Sequence, residues 1–136
     1  MKVFLSYSQE SASLAKKVSN ALVEVGFDVW DQQEEIFPGD NWAEKLGQAL
    51  NESEAMVVLL TSEALESSYV RRDISFALGR EVFSNRLIPV LVGDDSNQLM
   101  EKMPWILRRL NIIKLPVSSE QADGIEKITQ ALQAVA

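Results

Sequence analysis

The chain contains neither cysteine nor histidine. The first absence removes disulfides, thiolate metal sites and cysteine nucleophiles, and it suits a reducing cytoplasm. The second removes Ser-His-Asp and Cys-His machinery, together with the commonest general base and metal ligand. Chemistry here must rest on carboxylates, hydroxyls, Lys, Arg and backbone groups. Long apolar runs are also missing: those such as Ala55–Leu60 fall far short of the roughly 20 residues a membrane span needs. An excess of positive charge is lacking too. Against 20 acids stand 13 bases, and the net charge of −7 argues against nucleic acid binding by counterion release. Met1-Lys2 leads straight into an apolar strand, so no signal peptide is expected.

What is present is the composition of one soluble domain over residues 1–136, 46% hydrophobic and 24% charged, enough to bury a core unaided. The charge is uneven. Residues 1–66 hold 12 acids and 4 bases, whereas residues 67–136 hold 8 acids and 9 bases. Such asymmetry favours head-to-tail self-association, although chance partition over a solvated surface gives the same count.

Val3-Phe4-Leu5-Ser6-Tyr7 reads as a first buried strand. Leu14, Val18, Ala21, Leu22 and Val25 recur at helical spacing, with Gly26 as the stop. Phe27–Trp30 is a short second strand, followed by an acidic loop over residues 31–41 that includes Asp31, Glu34, Glu35 and Asp40. Trp42, Leu46, Ala49 and Leu50 mark a helix capped by Asp40 or Asn41. Ala55–Thr61, apolar on both faces, is expected to be a central parallel strand. Leu87–Val92 is a fourth strand, whose Pro89 predicts proximity to an edge or a bulge. A short helix around Met100–Met103, a strand at Asn111–Leu115 and a closing helix through Ile125, Ile128, Leu132 and Val135 complete the order. Alternation of strand and helix predicts an α/β fold: a flavodoxin-like, open, five-stranded parallel sheet with helices on both faces.

Ser67-Ser68-Tyr69-Val70-Arg71-Arg72-Asp73 follows the third strand, with Ser62–Ser67 expected as a loop. On a helix Tyr69 and Asp73 are stacked neighbours. Val70, Ile74, Ala77 and Leu78 form the core stripe, which places Asp73 at the border between core and surface. A helix starting at the carboxyl end of a parallel strand stands where open sheets bind ligands. A boundary Asp paired with an Arg is the plainer account. Asp94-Asp95 supplies too few ligands for a hard cation, so no metal is expected. Trp105, Ile106 and Leu107 are expected to pack in the core.

Taken in order, these segments resemble the Toll/interleukin-1 receptor (TIR) domain in its bacterial form. The likeness runs through Val3-Phe4-Leu5-Ser6-Tyr7-Ser8, Gly26–Trp30, Pro38-Gly39-Asp40, Ser67-x-Tyr69-Val70-x-x-Asp73, Arg86–Val90 and Met103-Pro104-Trp105. The resemblance implies two activities: cleavage or cyclisation of NAD at the nicotinamide–ribose bond, and self-association with other TIR domains in signalling or defence. NAD would be a substrate; no cofactor is implied. Carried over residue by residue, it makes Asp73 the catalytic carboxylate. Ser6, Tyr7, Ser8, Trp30, Phe37 and Tyr69 become candidate substrate contacts, and Ile36, Phe37, Pro38, Gly39 and Asp40 the assembly loop.

The chain departs from the pattern at the decisive position, carrying Asp73 where catalytic members have Glu, and Tyr69 where they usually have Trp. Asp is one methylene shorter, roughly 1.3–1.5 Å of reach, and a 1 Å displacement of a positioned group costs about a hundredfold in rate. Glu63 and Glu66 stand close enough in sequence to substitute. Two alternatives remain: a non-catalytic scaffold acting by homotypic interaction, and a nucleoside deoxyribosyltransferase-like enzyme, which also sets a carboxylate against ribose. Fused sensor domains are usual in this family, so the chain fits either a small whole protein or one domain of a larger one.

Overall fold

A computed structural model describes residues 1–93, 96–116 and 121–136. Five strands, β1 (Lys2–Ser6), β2 (Asp28–Trp30), β3 (Ala55–Leu60), β4 (Leu87–Val92) and β5 (Ile113–Leu115), form one sheet in the order β2-β1-β3-β4-β5. All four pairings are parallel. This is the flavodoxin-like strand order. β3 is buried along its whole length, as its unbroken apolar run requires.

Side chains alternate between two cores. Val3, Leu5, Val57, Leu59, Ile88 and Val90 face α1 (Ala12–Glu24) and α7 (Gln121–Val135), which contribute Val18, Leu22, Ile128 and Leu132. On the other face Phe4, Met56, Val58, Leu60 and Leu91 meet α3 (Trp42–Glu52), α4 (Ser62–Glu66), α5 (Ser68–Leu78) and α6 (Ser96–Lys102). Within the loop after β2, residues Gln32–Glu35 form one helical turn, α2.

Pro89 sits where its missing N–H is harmless. Met56 N donates to Arg86 O, so even-numbered residues of β4 turn their polar groups to β3 and Pro89 turns away. On that side pairing with β5 begins only at Val90. Among the described residues, no helix is long and apolar enough to cross a membrane.

Three expectations need correction. Ser62–Ser67 is not a plain loop, because Thr61 caps a separate helix, α4, by accepting from Ala64 N at 3.1 Å. Trp105 and Ile106 do not pack in the core: Trp105 is 67% exposed on a 3-10 turn, Ile106 is also exposed, and only Leu107 of the three is buried. Leu78, expected in the core stripe of α5, is instead exposed. Asp94 and Asp95 lie outside the described residues.

Candidate functional site

Two backbones diverge at the carboxyl edge of the sheet, between the ends of β1 and β3, because β1 feeds a helix on one face and β3 a helix on the other. That crevice is the switch point at which open α/β sheets bind ligands. Here it is a cleft of about 470 Å³. Its walls are built by Ser6, Tyr7, Ser8, Gln9 and Glu10 from the exit of β1, Gln32 and Ile36 from the segment after β2, and Glu63, Ser67, Tyr69 and Asp73 from α4 and α5.

The corner between α4 and α5 positions the carboxylate. Ser67 breaks the helix with extended backbone (φ −74°, ψ 125°) and recaps it by accepting from Val70 N at 3.4 Å. Arg71 Nε donates to Leu65 O at 2.6 Å and ties the new helix to the old one. α5 then buries Val70, Ile74 and Ala77, and this rotation carries Asp73 inward until it is only 6% exposed.

Ser6 Oγ donates to Asp73 Oδ2 at 2.9 Å. The other oxygen, Oδ1, is buried with no hydrogen-bond partner among the described residues. Arg72 Nη2 stands 3.6 Å from it, an ion pair rather than a hydrogen bond. Burial pushes the Asp73 carboxyl above its ordinary range, against the opposing pull of the Ser6 hydroxyl and the Arg72 guanidinium.

The remaining polar groups are more fully engaged. Tyr7 Oη donates to Asp31, which is buried and so is not part of an exposed acidic loop. Ser8 Oγ donates to Glu10 Oε2 at 2.6 Å and lies 3.5 Å from Thr61 Oγ1. The loop after β2 is held by its own turn and by Lys45 of α3. Phe37-Pro38-Gly39-Asp40 closes a turn with Asp40 N donating to Phe37 O at 3.0 Å, and Gly39 supplies the positive φ of 92°. Asp40 accepts from Phe37 N at 2.8 Å and from Lys45 Nζ at 2.9 Å, and these partners hold its carboxyl below the usual range. Asn41, rather than Asp40, caps α3, accepting from Glu44 N at 3.2 Å.

The structure therefore brings Ser6, Tyr7, Ser8, Ile36, Tyr69 and Asp73 to one cleft, with Glu63 beside them. It does not bring Trp30 there. That ring is buried and stacked on Phe4 at 5.0 Å, because the third residue of β2 turns toward the core. Phe37 is also apart from the cleft, 61% exposed beneath Lys45 Nζ, and Glu66 is outside the lining. Gln9, Glu10 and Gln32 were not anticipated; the only trace of them in the sequence is the Ser8-x-Glu10 spacing. Among the described residues, no three Asp or Glu side chains group as a metal site.

The TIR domain family model matches residues 3–129. No curated protein matches the sequence. Solved structures with the same fold include the TIR domain of the Toll-related receptor TRR-2 from Hydra magnipapillata (TM-score 0.74, 14% identity, covering 96% of this chain and 97% of that one). The TIR domains of the activated Roq1 resistosome give 0.73 at 17% identity, with 99% of each chain covered. A metazoan TIR-STING receptor from C. gigas gives 0.72 at 21% identity and 93% of this chain, which spans only 39% of that receptor's length. With nearly its whole length matched and its strand order in agreement, the chain belongs to the TIR domain family.

Proposed function

We propose that this TIR domain takes NAD into the β1–β3 cleft and breaks the bond between nicotinamide and ribose, with Asp73 as the carboxylate that carries the reaction. One observation carries the reading: a nearly buried carboxylate at the switch point, with one oxygen hydrogen-bonded to Ser6 and the other without a hydrogen bond among the described residues. Such an acid is expensive to bury, and sites of function are where that cost is tolerated.

The chemistry fits these side chains without histidine. The C1′–N bond breaks with its electron pair passing to the pyridinium nitrogen, and nicotinamide leaves neutral. Positive charge then develops on the ribose ring. The Asp73 carboxylate would face that charge or accept from a ribose hydroxyl, stabilising the transition state more than the ground state. The C1′ cation is captured by water, which gives up a proton to solvent, or by an adenine nitrogen, which closes a ring. Tyr69, 57% exposed at the rim, offers a face for a base.

Self-association is the second part of the proposal. The exposed Phe37 on a rigid, Asp40-pinned turn supports it, as does the charge asymmetry between the two halves. A signalling or defence role in the cytoplasm is in keeping with the TIR-STING and resistosome proteins that share the fold. The scaffold-only alternative keeps that surface and dispenses with Asp73.

The test is NAD consumption with product analysis at high protein concentration, for wild type, Asp73→Ala and Asp73→Glu. Nicotinamide release is expected from wild type and should vanish in Asp73→Ala. Asp73→Glu reaches roughly 1.3–1.5 Å further, so turnover should rise, by up to about a hundredfold. Silence from all three proteins while they demonstrably self-associate would leave the scaffold.

A further inference from the structure

Adjacent residues on a helix project about 100° apart and do not face each other. Arg72 and Asp73 nonetheless approach to 3.6 Å, so something other than the helix bends the arginine toward its neighbour. Two aromatic rings do so. The guanidinium carbon lies 5.7 Å from the centroid of Trp42, at the start of α3, and 5.3 Å from that of Tyr69, one turn back on α5. The two rings meet edge to face at 6.2 Å and an interplanar angle of 79°. Both approaches are within the range of cation–π attraction. A flat, weakly hydrated ion resting against two aromatic rings loses little by being held there, which an ammonium would not match.

Arg72 is absent from the lining of the cleft, so it addresses the carboxylate from behind rather than touching what binds. The other charged groups of the cleft are the acids Glu10 and Glu63, with Tyr7 and Tyr69 as the remaining titratable side chains and the Ser6 hydroxyl as the neutral donor. Each acid nearby favours protonation of Asp73. Among the described residues within salt-bridge reach of the carboxylate, Arg72 is the one cation.

Building on the reading of Asp73 as the functional carboxylate, we infer that Arg72 is its positioning residue: the Trp42–Arg72–Tyr69 cluster fixes a positive charge beside Oδ1 and holds Asp73 as an anion turned to the cleft. Arg72 therefore acts through Asp73 and not on substrate. The cluster joins α3 to α5.

The experiment is a ¹³C NMR titration of the Asp73 carboxyl in the full chain, assigned with Asp73→Asn, for wild type, Arg72→Gln, Arg72→Lys and Trp42→Ala. It needs no turnover, so it stands apart from whether NAD is cleaved. The Asp73 midpoint should move to higher pH in Arg72→Gln. Trp42→Ala should move it the same way by less, and Arg72→Lys should fall between wild type and Arg72→Gln. An unmoved midpoint in Arg72→Gln overturns the inference, and one moved by Arg72→Gln but not by Trp42→Ala overturns the clamp. In parallel kinetics the acid limb of the kcat profile should shift with the midpoint. A raised KM for NAD with Asp73 titrating as in wild type would make Arg72 a phosphate contact instead.

Discussion

Asp40 closes a turn after β2 and Asp73 lies within α5, both at the carboxyl edge of the sheet, and their surroundings have pushed them in opposite directions. Asp40 is bound by a backbone N–H and a lysine in contact with water, and its acidity is increased. Asp73 is nearly buried with one hydroxyl donor, and its acidity is reduced. The first carboxylate holds a loop in shape. The second is a buried carboxylate with one oxygen left without a hydrogen bond among the described residues, a cost that functional sites tolerate.

Measurements of stability sharpen this contrast. The largest effect should come from Trp30, whose stacking on Phe4 anchors the strand that leads into the Asp40 turn. Trp30→Ala is expected to lose about 3–5 kcal/mol in chemical denaturation, whereas Tyr69→Ala at the rim should lose only about 1 kcal/mol, from its contacts with Trp42 and Arg72. If Tyr69→Ala proved as costly, the rim would be core and the cleft would be closed.

Next comes Asp73→Asn. A carboxyl raised in the folded state binds more protons than in the unfolded chain, so its contribution to stability is full below the unfolded value of 3.8 and is lost as pH rises through the folded one. Asp73→Asn should therefore melt above wild type at neutral pH, with the gap closing toward pH 3.8 in thermal scans. Gly39→Ala follows: at a φ of 92° an alanine is strained, costing about 1 kcal/mol, or roughly 4 °C in Tm.

Asp40→Asn should be the smallest effect and opposite in sign. Its lowered carboxyl stabilises above 3.8 and loses that contribution as pH falls through the folded value, so the variant should melt slightly below wild type at neutral pH. Added salt should shrink the Lys45 share of the difference and leave that of the Phe37 hydrogen bond. Two Asp→Asn replacements that moved Tm in the same direction would break the comparison.

Much of this was legible in the sequence, and the failures have physical causes. The unbroken apolar run of Ala55–Leu60 specifies a strand buried on both faces, and Pro89 marks the point where β4 lacks its outer neighbour. The helix Ser62–Glu66 went unseen because less than two turns, with only Ala64 and Leu65 buried, leave no periodicity to read. Trp30 was assigned to ligand because a three-residue strand does not announce which face is covered. Trp105 was assigned to the core on hydrophobicity alone, yet the 3-10 turn exposes it. Arg72 was unreadable for a different reason. Adjacent residues diverge on a helix, and the ring that turns it back, Trp42, comes from another element.

The Ser6–Asp73 hydrogen bond closes 67 residues of chain. A ribosome that has released β1, β2 and β3 has made most of the sheet but none of the carboxylate. At about 5–20 residues per second, several seconds separate the first wall of the cleft from the second. A half-made copy therefore holds no site, and whatever the finished domain does to its ligand is withheld from the nascent chain until synthesis has passed Asp73.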